Sequence, residues 1–157
     1  MRTWIHLTST ALLAMTCGCT PSTSIDPPSS WVKIANARFD FCVPPDMNTF
    51  GLLDTNSLHG QSEGKSMFLS FEYGLSQEDY SGFTKAKHYA SHEERIGGRT
   101  AKIVEFYYEP FRRYHELIAV DFPRVDGKEF QLNVTAICST TNDYETARKI
   151  FRTIRFK

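Results

Sequence analysis

The stretch Lys128 to Cys138, K-E-F-Q-L-N-V-T-A-I-C, decides the fold. Phe130, Leu132, Val134, Ala136 and Cys138 alternate with Glu129, Gln131, Asn133 and Thr135. Only an extended strand turns a period of two into one apolar face. The period then changes. Asn142 with Glu145 three residues on has the form of a capping box, and Tyr144, Ala147, Ile150 and Phe151 share a helical face. Ile154-Arg155-Phe156 closes the chain as a short edge strand.

Working outward, the preceding text reads mainly as strands. Arg113 to Phe122 places Tyr114, Ile118, Val120 and Phe122 on one face, and Asp126-Gly127 marks a turn. Arg99 to Tyr108 and His88 to Ile96 flank Gly97-Gly98, a two-residue hairpin signal. Ser76 to Asp79 has the form of a helix start, weakened by Gly82 beyond it. Ser66 to Tyr73 aligns Met67, Leu69, Phe71 and Tyr73, whereas Asp46 to Gly64 reads as loop. Arg38 to Val43 puts Phe39, Phe41 and Val43 on one face and stops at Pro44-Pro45. Strands joined by hairpins and followed by a helix predict an α+β fold: an antiparallel sheet of about six strands with a C-terminal helix packed on one face.

The first residues carry an address. Arg2 precedes an apolar-leaning segment, Trp4 to Met15, and A-L-L-A-M-T-C-G-C-T ends it in two cysteines. That layout of charge, short apolar middle and small residues is an export signal, and it resembles a bacterial lipoprotein signal, in which the Cys after the cut carries the lipid. The apolar segment is too short to span a bilayer. The resemblance implies residues 1–18 as signal peptide, residues 19–30 as a Pro/Ser-rich tether and residues 31–157 as one globular domain. It also implies a lipid, palmitate among its acyl chains, on Cys19, with Cys17 as the alternative acceptor. Gly18 favours Cys19 as the small residue before the cut, while Thr16 departs from the aliphatic residue usual in the family. Thr20 is not the Asp that holds enteric relatives at the inner membrane. The expected location is the cell envelope, lipid-anchored in the outer membrane, with the domain facing the periplasm. The eleven residues Thr20 to Ser30, at about 3.5 Å each, let the domain stand roughly 35–40 Å off the lipid.

Export places the remaining cysteines in an oxidising space. Lipid on Cys19 removes Cys17 with the signal and leaves Cys42 and Cys138 to each other, so a Cys42–Cys138 disulfide is the expectation. Such a bond closes a loop worth about 4–5 kcal/mol in the chain-entropy model. The alternative is two separate buried thiols.

The opening F-D-F-C-V-P-P and the closing F-R-T-I-R-F, with the strand and helix before the latter, resemble PsbP/Mog1/DcrB-like domains. The resemblance implies an antiparallel sheet flanked by helices, and a role in binding or assisting other proteins rather than in catalysis. It supplies no catalytic residue.

Chemistry-bearing patterns are few. The 157 residues hold 18 basic and 18 acidic side chains, a formal net charge of zero without a basic block, which argues against a nucleic-acid partner. Gly60-Gln-Ser-Glu-Gly64-Lys65-Ser66 looks like a phosphate loop but has three residues between its glycines, where the motif needs four. His88 and His92, four apart, are the weak metal candidates, with Glu94 or His115 as a third ligand; exposed polar residues on an outward strand explain the same letters. No G-x-S-x-G elbow occurs, and the neighbouring carboxylates Glu93/Glu94 and Glu78/Asp79 diverge on a strand. No cofactor is implied. The patch Phe106 to His115 is dense in Tyr, Phe and Arg, the types that anchor protein interfaces. Tyr107, Tyr108, Phe111, Arg112, Arg113 and Tyr114 are therefore the candidate partner-binding residues.

The function expected from these features is a membrane-anchored, non-enzymatic protein-binding module, in one version an immunity or accessory protein acting on an unidentified envelope protein. The alternatives are a periplasmic small-molecule or metal-binding domain, and a hydrolase without a recognisable motif.

Overall fold

The computed structural model describes residues 23–54, 58–75, 80–108, 116–123, 125 and 130–157. In chain order these form β1 (Val32–Ala35), β2 (Phe39–Val43), β3 (Asn48–Asp54), β4 (Leu58–Glu63), β5 (Met67–Gly74), a 3₁₀ turn (Tyr80–Phe83), β6 (Ala90–Ile96), β7 (Arg99–Tyr107), β8 (Glu116–Phe122), β9 (Gln131–Cys138), α1 (Thr141–Arg152) and β10 (Arg155–Phe156). The α+β class and the antiparallel pairing are as expected. The sheet is larger: seven strands in the order β3-β4-β5-β9-β8-β7-β6, with a second sheet of three, β1-β2-β10.

β9 lies at the middle of the large sheet, paired with β5 (Met67 opposite Cys138) and with β8 (Ile118 opposite Ala136). Its even-numbered side chains, Leu132, Val134, Ala136 and Cys138, enter the main core with Leu69 and Phe71 of β5, Ile118 and Val120 of β8, and Ala101 and Ile103 of β7. Over that face lie α1, through Ala147, Ile150 and Phe151, and β2, through Phe39, Phe41 and Val43. The odd side of β9 is also closed. Ile137 packs with Val104, Phe106, Leu117, Ala119 and Tyr80 in a second cluster, so the sheet is buried on both faces around β9.

Asp46 to Gly64, read as loop, contains β3 and β4. The inward positions of β4 are Leu58, Gly60 and Ser62, two of them too small to give a hydrophobic pattern. The large ring opposite supplies the volume: Phe71 pairs with Gly60, and a Cβ at Gly60 would fall 2.3 Å from the Phe71 ring. Gly97 and Gly98 join β6 to β7 with φ of 57° and 79°, the left-handed pair that a two-residue hairpin requires.

Thr140, not Asn142, caps α1. Its hydroxyl accepts from the Asp143 amide at 3.2 Å, and the Asp143 carboxylate accepts from the Thr140 amide at 3.1 Å. Thr140 is the residue still extended after β9, so the box begins two positions earlier than Asn142-Glu145 suggests. Arg155 and Phe156 form the expected edge strand, against β2. Ser76 to Asp79 and Asp126-Gly127 lie outside the described residues.

The expected disulfide is not formed: Cys42 and Cys138 are separate, buried thiols. Strand parity is the reason. Phe41 and Val43 of β2 face the core, so Cys42 between them faces the other side, among Asp40, Lys33 and Arg155. Cys138 faces the core. Within the expected tether, Thr23–Ile25 is bonded to the domain. The Thr23 amide donates to the Arg95 carbonyl (2.9 Å) and the Ile25 amide to the Arg152 carbonyl (3.0 Å), Ser24 Oγ accepts from the Gly97 amide (2.7 Å), and Arg155 Nη2 donates to the Ile25 carbonyl (2.7 Å).

Two outcomes are expected. Gly60→Ala lowers stability by about 1–3 kcal/mol through overpacking against Phe71, seen as a lower urea midpoint with unchanged slope. Mass spectrometry of the unreduced protein returns Cys42 and Cys138 as free thiols, and both resist alkylation until the chain is unfolded; a Cys42–Cys138 linked peptide that disappears on reduction would restore the disulfide.

Candidate functional site

The alternation of β7 divides the aromatic patch between two sides. Val104 and Phe106 go to the outer cluster, Ala101 and Ile103 to the helix side. Phe106 is buried and carries Phe83 stacked on it, centroids 4.5 Å apart and planes at 13°. Tyr108 meets both rings edge-on at 6.1 and 6.2 Å, and Tyr80 lies 6.1 Å from Phe106. Phe83 is 37% exposed, so the ladder runs from the interior to the surface. Offset and edge-on geometry adds to simple burial.

Polar contacts seat this aromatic element. The Tyr80 hydroxyl lies 3.1 Å from Asn133 Oδ1 and 2.6 Å from Thr135 Oγ1, and Thr135 donates to Asn133 Oδ1 at 2.9 Å. The segment then turns through Ala86 N–H to the Phe83 carbonyl and rejoins β7 through Tyr107 N–H to the Lys87 carbonyl. Tyr107 does not share the Tyr108 surface. Lys87 Nζ sits 5.4 Å over its ring, and His88 packs edge-on at 6.3 Å. The six-residue patch is thus not a single face: of its members, Tyr108 joins the aromatic ladder and Tyr107 leaves it. Phe111, Arg112, Arg113 and Tyr114 lie outside the described residues, as do His115 and Cys19. Sequence reading missed Tyr80 and Phe83; two aromatics three apart, one helical turn, were the available signal.

His88 and His92 face different carboxylates. His88 Nδ1 lies 2.9 Å from Glu116, and His92 Nε2 3.9 Å from Glu94. His88 has φ of 61°, which breaks the strand period before β6 begins and removes the shared face that the four-residue spacing implied. Among the described residues no three His, Cys, Asp or Glu side chains gather as a metal site. The phosphate-loop look-alike is split between β4 and the β4–β5 turn, which lies beside the start of α1. There Ser66 Oγ donates to Asp143 at 2.8 Å, which places a carboxylate rather than an anion pocket at the helix N-terminus.

Two other features stand out. A hollow of about 120 Å³ on the outer side of β4, β5 and β9 is lined by His59, Gln61, Ser70, Glu72 and Asn133. Asn133 is buried, and its Nδ2 has no partner among the described residues. On the helix side, Arg152 Nε donates to Glu94 at 2.7 Å, and Arg148 pairs with Glu105. Burial alone raises the Glu94 carboxyl, but the hydrogen bonds from Arg152 and Thr23 and the charges of Arg152 and His92 outweigh it and hold it below its ordinary value. Burial, then Asp143 and Glu116, push the Cys138 thiol up to about 12. Burial, then Asp40, raises Cys42 against the opposing charges of Lys33 and Arg155. Neither thiol is a ready nucleophile.

No known family model matches the chain, and no curated protein is similar enough to match it. Among the described residues no helix is long and apolar enough to cross a membrane.

The Glu94 site makes a signed prediction. A depressed carboxyl contributes stability that is complete above its unfolded value and lost as pH falls through the lower folded one. Glu94→Gln should cost about 1–2 kcal/mol at pH 7. The difference from the native chain should shrink as pH drops below about 4, measured by urea unfolding at each pH.

Proposed function

We propose that the chain is a lipoprotein of the cell envelope, anchored through Cys19 in the outer membrane and facing the periplasm, whose domain binds another envelope protein without catalysing a reaction. The observation that carries the binding part is the aromatic ladder: Phe83, over a third exposed, stacked on buried Phe106 and flanked by Tyr108. A rigid ring held from below is the kind of anchor that dominates interface energetics, because little side-chain freedom is lost on docking. The ladder leads along the chain into residues 109–114, where Phe111, Arg112, Arg113 and Tyr114 add the same residue types. The likeness of the two chain ends to PsbP/Mog1/DcrB-like domains is part of this reading and rests on the residues F-D-F-C-V-P-P and F-R-T-I-R-F. An immunity or accessory role is the version that needs only these parts.

Pull-down of the full-length chain from envelope extract, with and without Phe83→Ala and Tyr108→Ala, tests this reading. Each variant should weaken capture of the same partner about tenfold or more while circular dichroism stays unchanged. Equal capture by both variants would remove the ladder from the interface.

A second reading rests on Asn133. Its unpartnered Nδ2, beside a hollow walled by Ser70, Gln61 and Glu72, suits a small neutral polar ligand offering hydrogen-bond acceptors. Such a ligand should raise the melting temperature of the native chain and not of Ser70→Ala.

A further inference from the structure

Among the described residues, the outer face of the large sheet is covered only in part. Around Ile137, Leu117 and Phe106 the segment from Tyr80 to Tyr89 closes it, whereas over β4, β5 and the adjoining part of β9 it carries the hollow of about 120 Å³. Cross-strand register sets out the side chains there as a lattice. Glu72 stands opposite His59 on one side and Asn133 on the other, and Ser70 stands opposite Gln61 and Thr135. Residues paired in this way share a face and lie about 5 Å apart at Cβ. One strand farther out, Phe50 of β3 stands opposite Gln61. Phe50 is 58% exposed, a large apolar ring left in water at the rim of a polar floor.

Each group narrows the choice of ligand. Asn133 is buried, and its Oδ1 lies 3.1 Å from the Tyr80 hydroxyl and 2.9 Å from that of Thr135, two groups that can only donate to it. Those contacts fix the amide, so the donor Nδ2 is the unmatched group at the floor. Glu72 offers the reverse, a carboxylate that accepts only, with His59 Nδ1 3.9 Å away. Among the described residues no Lys or Arg lines the hollow. An anion would therefore meet Glu72 unshielded, and a cation would bring only donors to Asn133. A hydroxyl suits both, because its oxygen accepts from Asn133 while its proton goes to Glu72, and Ser70 and Gln61 can play either part.

Size and shape narrow it further. The hollow is several times smaller than a cavity that encloses a drug-sized ligand, so its occupant lies across the sheet rather than inside it. From Asn133 to Phe50 is three strand spacings, about 14 Å, longer than one hexose ring. At the Phe50 end the occupant must present an apolar face, and at the Asn133 end hydroxyls. Sugar rings have both, with C–H groups on their faces and O–H groups around their edges. The negative face of an aromatic ring attracts such C–H groups.

We propose that the strip from Phe50 across Gln61, Ser70 and Glu72 to Asn133 binds a neutral linear oligosaccharide laid across the strands. The proposal rests on the reading of the hollow as a ligand site. One ring lies flat on Phe50, the next spans Gln61 and Ser70, and the hydroxyls of the last reach Glu72 and Asn133. The Tyr80 hydroxyl that orients Asn133 belongs to the same turn that carries Phe83 onto Phe106. The sugar strip and the aromatic ladder thus share one support and occupy neighbouring parts of one face.

The test is isothermal titration of the full-length chain, held in a detergent without a sugar headgroup. The probes are cellotriose, maltotriose and the trimer of N-acetylglucosamine, glucose as a single ring, and N-acetylglycinamide as a neutral peptide-like ligand. The expected result is that one trimer binds about tenfold more tightly than glucose and loses about that factor in Phe50→Ala. Phe50→Trp should restore the affinity, and Gln61→Ala should weaken it. Both positions are exposed, so circular dichroism should not change. Trimer binding that ignores Phe50→Ala, or that is no tighter than glucose binding, overturns the strip. Binding of N-acetylglycinamide with no sugar bound at millimolar concentration overturns the saccharide and leaves the hollow as a ligand site. If no probe binds, the proposal and the reading it rests on fall together.

Discussion

Burial of β9 on both faces is the constraint that the other elements serve. Leu132, Val134, Ala136 and Cys138 can face α1 and β2 only if Asn133, Thr135 and Ile137 face away, and the outer side carries two polar groups that burial penalises unless they are bonded. The Tyr80 hydroxyl lies within hydrogen-bond reach of both, and its docking there places the element that brings Phe83 onto Phe106. The polar residues that make β9 look like a half-exposed strand are thus the residues that hold its second cover in place. One unmet donor, Asn133 Nδ2, remains at the margin of that arrangement.

Alternation was legible wherever the inward residues are large. β2, β5, β8 and β9 present Phe39 to Val43, Met67 to Tyr73, Ile118 to Phe122 and Leu132 to Cys138 to the core in the alternation that the sequence implies. β4 was not legible, because its inward positions are Gly60 and Ser62 and the Phe71 ring belongs to the next strand. The cap at Thr140 was missed for a related reason: the strand ends two residues before the helix begins, so the cap falls in the seam between the two periods. The candidate site was less legible. Tyr107 and Tyr108 are adjacent in sequence but go to opposite sides, and Phe83 comes from a segment with no clear period. His88 loses its register with His92 through a left-handed backbone.

The cysteines show how compartment and geometry compete. Pairing by elimination treats Cys42 and Cys138 as the last two thiols in an oxidising space. The parity that sends Phe41 and Val43 inward turns Cys42 outward, away from the face Cys138 occupies. The bond that remains unmade leaves stability to packing. Phe39 and Phe41 meet the edge of Phe71 at 5.8 and 5.5 Å, and the Cys42 amide donates to Thr153 Oγ1 at 2.9 Å, tying β2 to the end of α1. Burial and raised thiol values protect both cysteines where an exposed pair would react.

The docking of Thr23–Ile25 also determines how the fold meets mechanical load. A pull on the N-terminal segment does not unzip the chain from one terminus. The force divides between the Arg95 and Gly97 backbone of the edge hairpin and the Arg152 and Arg155 groups that close the helix and the last strand. Elements seventy to one hundred and thirty residues apart in sequence therefore share the strain. Rupture would free the beginning and the end of the domain together, and the segment would serve as its mechanical clasp.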